Sequence, residues 1–206
     1  MLGIKLVNGV SDMKLKNKTV IITGGSRGIG KSIASEYLKE GAHVVIASRG
    51  EEELEKTVKE FQGMDRNRVL GIPTDVSDRE NVKNLIAQTE QAFGGVDILV
   101  NAAGILSPVV SLLDVDEEDW VHCIRVNLIG AMYCCKLVLP GMISKGKGKM
   151  INFFGGGASK PVGNFSAYTC AKYSLARFTE SLGEELRAYK IDVNCIAPGS
   201  VDTKLF

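Results

Sequence analysis

Short apolar runs alternate with longer amphipathic stretches along most of the chain. Six runs have strand length and are rich in β-branched residues: 19–23, 43–47, 69–72, 96–100, 149–154 and 191–195. Several are apolar on both alternations, as strands covered on both faces are. The stretches between them have helical spacing. Val82, Leu85, Ile86, Thr89 and Phe93 fall at i, i+3, i+4, i+7 and i+11. Ser77 with Glu80 spells a capping box before that stretch, and Ser48 with Glu51 spells another. A further helical pattern covers residues 31–40. Strand, helix, strand at this pace predicts right-handed βαβ units around a parallel sheet. No repeat, low-complexity segment or linker divides the sequence.

Composition narrows this to one globular domain. The chain has 206 residues, 45% hydrophobic and 24% charged, enough to bury a core once. Twenty-five lysines and arginines against 24 acids leave a net charge of +1, so nucleic acid is not an expected partner. No uninterrupted apolar run nears the roughly 18 residues of a membrane span, and no membrane partner is expected. Residues 1–12 read as a loose extension without signal-peptide character, and residues 13–206 as the domain. Five cysteines have no framework spacing, and with two histidines they form no zinc pattern. They read as reduced buried thiols of a cytoplasmic protein, and Cys170 as a packing residue. The acidic run at 114–119, before Trp120, reads as a solvated helix start rather than a metal site.

The glycines carry the first chemistry. The first strand runs into Gly24-Gly25-Ser26-Arg27-Gly28-Ile29-Gly30 and then into a helical pattern. Glycine permits a sharp turn and close backbone approach, and a helix N-terminus offers free N–H groups to an anion. In that position the loop reads as a dinucleotide site. It is no Walker loop, because no G-K-[S/T] closes it. The second strand ends Ala47-Ser48-Arg49, without the acid that usually binds a ribose 2′-OH. A serine and an arginine there suit a 2′-phosphate, and Arg27 adds a second cation. The competing reading takes Glu51, Glu52 or Glu53 as the ribose acid; a helix dipole accounts for acids at that place.

The spelling T-G-x-x-x-G-I-G at 23–30 resembles the cofactor loop of the short-chain dehydrogenase/reductase family. Asp75-Val76, Asn101-Ala102-Ala103-Gly104, Asn127 with Gly130, Tyr168-x-x-x-Lys172 and Ala197-Pro198-Gly199 match the same family in order. The resemblance implies a Rossmann-like, doubly wound α/β domain. It implies a nicotinamide cofactor held by Gly24, Ser26, Arg27, Gly28, Ile29, Gly30, Ser48, Arg49, Asp75, Val76 and the 101–104 floor. Tyr168, Lys172, Pro198, Gly199, Val201 and Thr203 complete that set. NADP(H) is preferred over NAD(H) on the Ser48-Arg49 and Arg27 evidence.

By the same resemblance Tyr168 is the general acid/base for a carbonyl or alcohol substrate. A free tyrosine has a pKa of about 10 and needs its phenolate stabilised. Lys172, four residues on and on the same helix face, is expected to lower it. Asn127 is expected to hold a water for proton relay. The family's serine is missing: thirteen residues before Tyr168 stands Gly155, and its neighbour Phe154 has no hydroxyl. Ser159 and Ser166 lack the spacing. Backbone N–H groups of Gly155 or Gly156 are one substitute; an NADP(H)-binding scaffold or sensor with weak or no catalysis is the alternative. On this reading a serine restored at Gly155 raises the rate. The resemblance further implies a homodimer or homotetramer. Family members run to roughly 250 residues, so the substrate-covering part is expected to be missing.

Overall fold

The computed structural model describes residues 13–155, 162–199 and 201. The stretch 1–12, read as a loose extension, lies outside the described residues. Among the described residues six strands and six α-helices follow in this order: β1 (Thr19–Thr23), α1 (Gly28–Lys39), β2 (His43–Ser48), α2 (Glu51–Gln62), β3 (Val69–Pro73), α3 (Arg79–Phe93), β4 (Ile98–Asn101), α4 (Glu117–Ile124), α5 (Gly130–Lys145), β5 (Gly148–Phe153), α6 (Ser166–Leu186) and β6 (Ile191–Ile196). The sheet is ordered β3-β2-β1-β4-β5-β6, and every pairing is parallel. The chain leaves β1 in one direction for β2 and β3, then returns past it to β4. The strand order therefore reverses between β1 and β4, where such sheets bind ligands at their carboxyl ends.

Alternate residues of each strand point to opposite faces, and each face is roofed separately. Ile21, Val45, Leu99 and Met150 pack with Val82, Leu85 and Ile86 of α3, Cys134, Val138 and Met142 of α5, and Leu182 and Leu186 of α6. Val20, Ile22, Val44, Ile46, Ile98 and Val100 pack with Ala34 and Leu38 of α1 and Leu54 and Phe61 of α2. Burying one such side chain contributes about 1.5–3 kcal/mol, so each helix is fixed by its apolar stripe. The roof is unequal. β6 alternates buried and open positions, and Asp192, Asn194 and Ile196 are exposed among the described residues.

Both predicted capping boxes shift in the structure. Asp78, not Ser77, caps α3 by accepting from the Glu80 and Asn81 N–H groups, because Asp75 Oδ1 takes the Ser77 hydroxyl at 2.7 Å. Gly50, not Ser48, precedes α2, and Ser48 Oγ lies 2.9 Å from Ser26 Oγ. The acidic run does start a helix: Asp116 accepts from the Glu118 and Asp119 N–H groups of α4. From there α4, a π-helical turn (Arg125–Ile129) and α5 run continuously. This composite helix, Glu117–Lys145, is long and apolar enough by length and composition to cross a membrane, with mean hydropathy 1.6. Its apolar residues Cys123, Cys134, Cys135, Val138 and Met142 are nonetheless buried inside the domain.

The cysteines divide. Cys123, Cys134 and Cys135 are free and buried, whereas Cys195 is half-buried and Cys170 exposed. Cys170 is therefore no packing residue. It lies off the α6 stripe of Ala167, Tyr168, Ala171, Lys172, Leu175 and Thr179 that faces inward.

Candidate active site

At the end of β1 the backbone does the work. Gly24 turns at φ +66°, and a Cβ there would lie 2.8 Å from the Ala103 backbone. A Cβ on Gly30 would run into the Gly24 carbonyl. The two glycines thus let the loop, the first turn of α1 and the segment after β4 close on one another. Thr23 Oγ1 accepts from the Ala103 N–H at 3.2 Å, and buried Thr57 Oγ1 donates to the Ser26 carbonyl at 2.8 Å. Arg27 precedes α1 without a side-chain cap, so the first N–H groups of that helix are available to an anion.

The second strand ends beside this loop. Ser26 and Ser48 share a hydrogen bond, and each is followed in sequence by an arginine, Arg27 and Arg49. Each arginine meets a carboxylate: Arg27 Nη1 is 3.9 Å from Glu53 Oε2, and Arg49 Nη1 is 4.0 Å from Asp75 Oδ2. All four side chains are substantially exposed, so these pairs are weak. They hold the cations at the rim. Glu53 lines the cleft, although the helix dipole alone accounts for an acid at its place in sequence.

The other end is built on α6. Tyr168 and Lys172, one turn apart, are both nearly buried. Lys172 Nζ lies 5.9 Å from the centre of the Tyr168 ring and donates to the Phe153 carbonyl at 3.1 Å. Burial pulls the ammonium down to about 8. Burial also pushes the Tyr168 phenol above its ordinary value, and the nearby Cys123 thiol pushes the same way. In the protein alone burial sets the direction of the tyrosine's shift, whereas the sequence leads to the expectation of lowering by Lys172.

Asn127 is the residue expected to hold a water for proton relay. It lies in the π-helical turn, buried. Its Oδ1 accepts from the Ile105 N–H at 3.2 Å, and its Nδ2 donates to the carbonyls of Ile105 at 2.8 Å and Cys123 at 3.0 Å. The side chain thus ties the 105 segment to the Cys123 carbonyl of α4. Gly104 fits closely behind it: a Cβ would lie 2.8 Å from Asn127 Oδ1 and 3.4 Å from Lys172 Nζ.

These two ends belong to one cleft of about 340 Å³ at the carboxyl ends of the strands. The chain matches the sequence model described as short chain dehydrogenase over residues 18–206. The chain belongs to the short-chain dehydrogenase family. An uncharacterized oxidoreductase of Thermotoga maritima is 38% identical over 192 residues, covering 92% of this chain and 73% of that protein. Levodione reductase superposes with a TM-score of 0.89 at 28% identity, covering 93% of this chain and 75% of its own. NAD+-bound xylitol dehydrogenase gives a TM-score of 0.86 at 27% identity, covering 90% and 71%. As a family member this chain is an oxidoreductase of small molecules that uses a nicotinamide cofactor.

Against this family site, the predicted residues sort cleanly. Gly24, Ser26, Arg27, Gly28, Ile29, Gly30, Ser48, Arg49, Val76, Ala102, Ala103, Gly104, Tyr168, Lys172 and Pro198 all line the cleft. Asp75, Asn101, Asn127, Gly199 and Val201 do not. Thr203, Gly156 and Ser159 lie outside the described residues. Asp75 instead accepts from the Ser77 backbone and hydroxyl and braces Arg49. Asn101 turns away from the expected floor: its Nδ2 donates to Asn152 Oδ1 at 2.8 Å, and Asn152 donates on to Thr179 Oγ1 at 2.9 Å. Asn101 Oδ1 is a buried acceptor without a partner among the described residues. Ser166 is engaged by the Trp120 indole N–H at 3.1 Å. Glu53, the competing ribose acid, also lines the cleft, and so do residues the sequence reading did not assign to the site: Ala47, Gly50, Thr74, Ile105, Val126, Phe153 and Phe154. Most directly follow or precede a predicted position, so strand register is the signal that finds them. Among the described residues no group of three or more His, Cys, Asp or Glu could hold a metal ion.

Proposed function

We propose that the chain is an NADP(H)-dependent reductase of ketones or aldehydes, or the reverse dehydrogenase, with Tyr168 as general acid/base. The observation that carries the reading is that Tyr168 and Lys172 share one cleft with the glycine loop. The loop fits a dinucleotide, since Gly24 and Gly30 let the backbone turn tightly into the first turn of α1. A nicotinamide dinucleotide held there supplies or accepts the hydride. The chain's own groups do the rest. The α1 N-terminus and loop N–H groups bind phosphate, and Lys172 offers its ammonium to ribose hydroxyls while tied to Phe153. Tyr168 Oη gives a proton to the carbonyl oxygen as the hydride reaches its carbon, and takes it back in the oxidative direction.

The NADP(H) preference rests on Arg27, Arg49 and the Ser26–Ser48 pair, with no acid closing β2. Equilibrium titration with NADPH and NADH, followed by a screen of ketones and aldehydes with NADPH, tests both parts. Tighter NADPH binding and Tyr168-dependent turnover are the expected results. A second reading, a dinucleotide-binding scaffold or sensor, is favoured by one observation: no side-chain hydroxyl stands at Gly155 or Phe154. Binding without turnover of any carbonyl would favour it. The resemblance also proposes a homodimer or homotetramer, which light scattering of the purified chain reads directly.

A further inference from the structure

Gly155 does more than lack a hydroxyl. A Cβ built on it would lie 2.6 Å from Tyr168 Oη and 3.1 Å from ring atoms Cε1 and Cζ. The space where every other residue carries its first side-chain carbon is thus occupied by the tyrosine. Tyr168 packs in a small cluster with Cys123 and Ala167, against which Ile105, Leu106 and Trp120 pack, and the Trp120 N–H is tied to Ser166. Cys123 and Ile105 are fixed in turn, because Asn127 Nδ2 donates to both their carbonyls. A rigid ring packed in such a cluster does not retreat as a flexible side-chain tip would. Ordinary contact with a new Cβ would require Oη to move by roughly 1 Å, a displacement that costs about 100-fold in rate where geometry matters.

We infer that Gly155 is a positioning residue: its missing side chain is the seat that holds the Tyr168 hydroxyl just past the end of β5. The inference rests on the proposed reaction and deepens it. It also reverses the expectation from sequence. Restoring a serine at 155 supplies a hydroxyl but evicts the tyrosine, so the gap is part of how this site is built.

The test compares Gly155→Ala and Gly155→Ser with the parent, alone and combined with Tyr168→Phe. NADPH-dependent ketone reduction, the NADPH Kd and the melting temperature are each measured. Both Gly155 variants are expected to lose about 100-fold in kcat while the NADPH Kd stays within about twofold of the parent. The melting temperature should fall by about 3 °C or more in Gly155→Ala, and by less when Tyr168→Phe has removed the hydroxyl. A Gly155→Ser variant as active as the parent, or more so, overturns the inference. So does a melting loss that is equal with and without the hydroxyl. A parent that reduces no carbonyl overturns the proposed reaction instead, and the melting cycle still decides whether Gly155 seats the ring.

Discussion

The two ends of the cleft are made of different material. At the Gly24–Gly30 end the working parts are backbone groups, brought close by residues that have no side chain to obstruct them. At the Tyr168 end they are side chains, nearly buried and held by contacts from β5, the 105 segment and the π-helical turn. Backbone recognition is local: a short run of residues following a strand specifies it. Side-chain chemistry is distributed, and its geometry depends on elements far apart in sequence. Gly155 joins the two, because there a missing side chain serves a distant hydroxyl.

Variants can separate the ends. The largest effect is expected from Tyr168→Phe, which should lower kcat/KM for ketone reduction by about 10²–10⁴-fold and leave NADPH affinity nearly unchanged. The glycine end should answer in the opposite way. Gly24→Ala or Gly30→Ala should weaken NADPH binding by about 3 kcal/mol, through strain and contact with backbone. Gly50→Ala, in the same cleft but with nothing within 4 Å of its Cβ, should bind as the parent does. Titration calorimetry of the three variants checks the contrast.

A third effect concerns Lys172. Its folded value of about 8 lies below the ordinary 10.5. Between those two values the unfolded chain holds a proton that the folded chain has released. Stability from this residue therefore rises as pH climbs from about 8 to about 10.5, by about 2–3 kcal/mol. Lys172→Met should flatten that part of the stability profile, as urea melts across the range would read. The smallest effect is expected at the rim. Arg49→Ala should cost NADPH about tenfold in affinity and leave NADH unchanged, and the difference should shrink with added salt.

The same division explains what the sequence reveals. All six strands are legible to within about two residues, because short β-branched runs between helical patterns admit one arrangement. The glycine loop is legible because its conformational demands are written as residue types. The serines are misread as caps, since Ser48 and Ser77 are recruited by Ser26 and Asp75. Cap spelling does not encode those contacts. Asn127 and Asn101 stand out in the sequence, and their side chains bond the 105 segment and Asn152. Which way a side chain turns is decided by packing. Cys170 could have been assigned better, because helical spacing from Tyr168 and Lys172 already puts it off the buried stripe. For Gly155 the lack of a serine is visible in sequence, whereas the tyrosine occupying its space is not.

The central claim is that Tyr168 transfers a proton in an NADPH-dependent reaction at this cleft. The most direct measurement is the initial rate of NADPH oxidation with a panel of ketones and aldehydes, for the parent and for Tyr168→Phe at equal cofactor saturation. The account predicts turnover of at least one carbonyl by the parent and loss of about two orders of magnitude or more in the variant. Equal rates in the two proteins would contradict it.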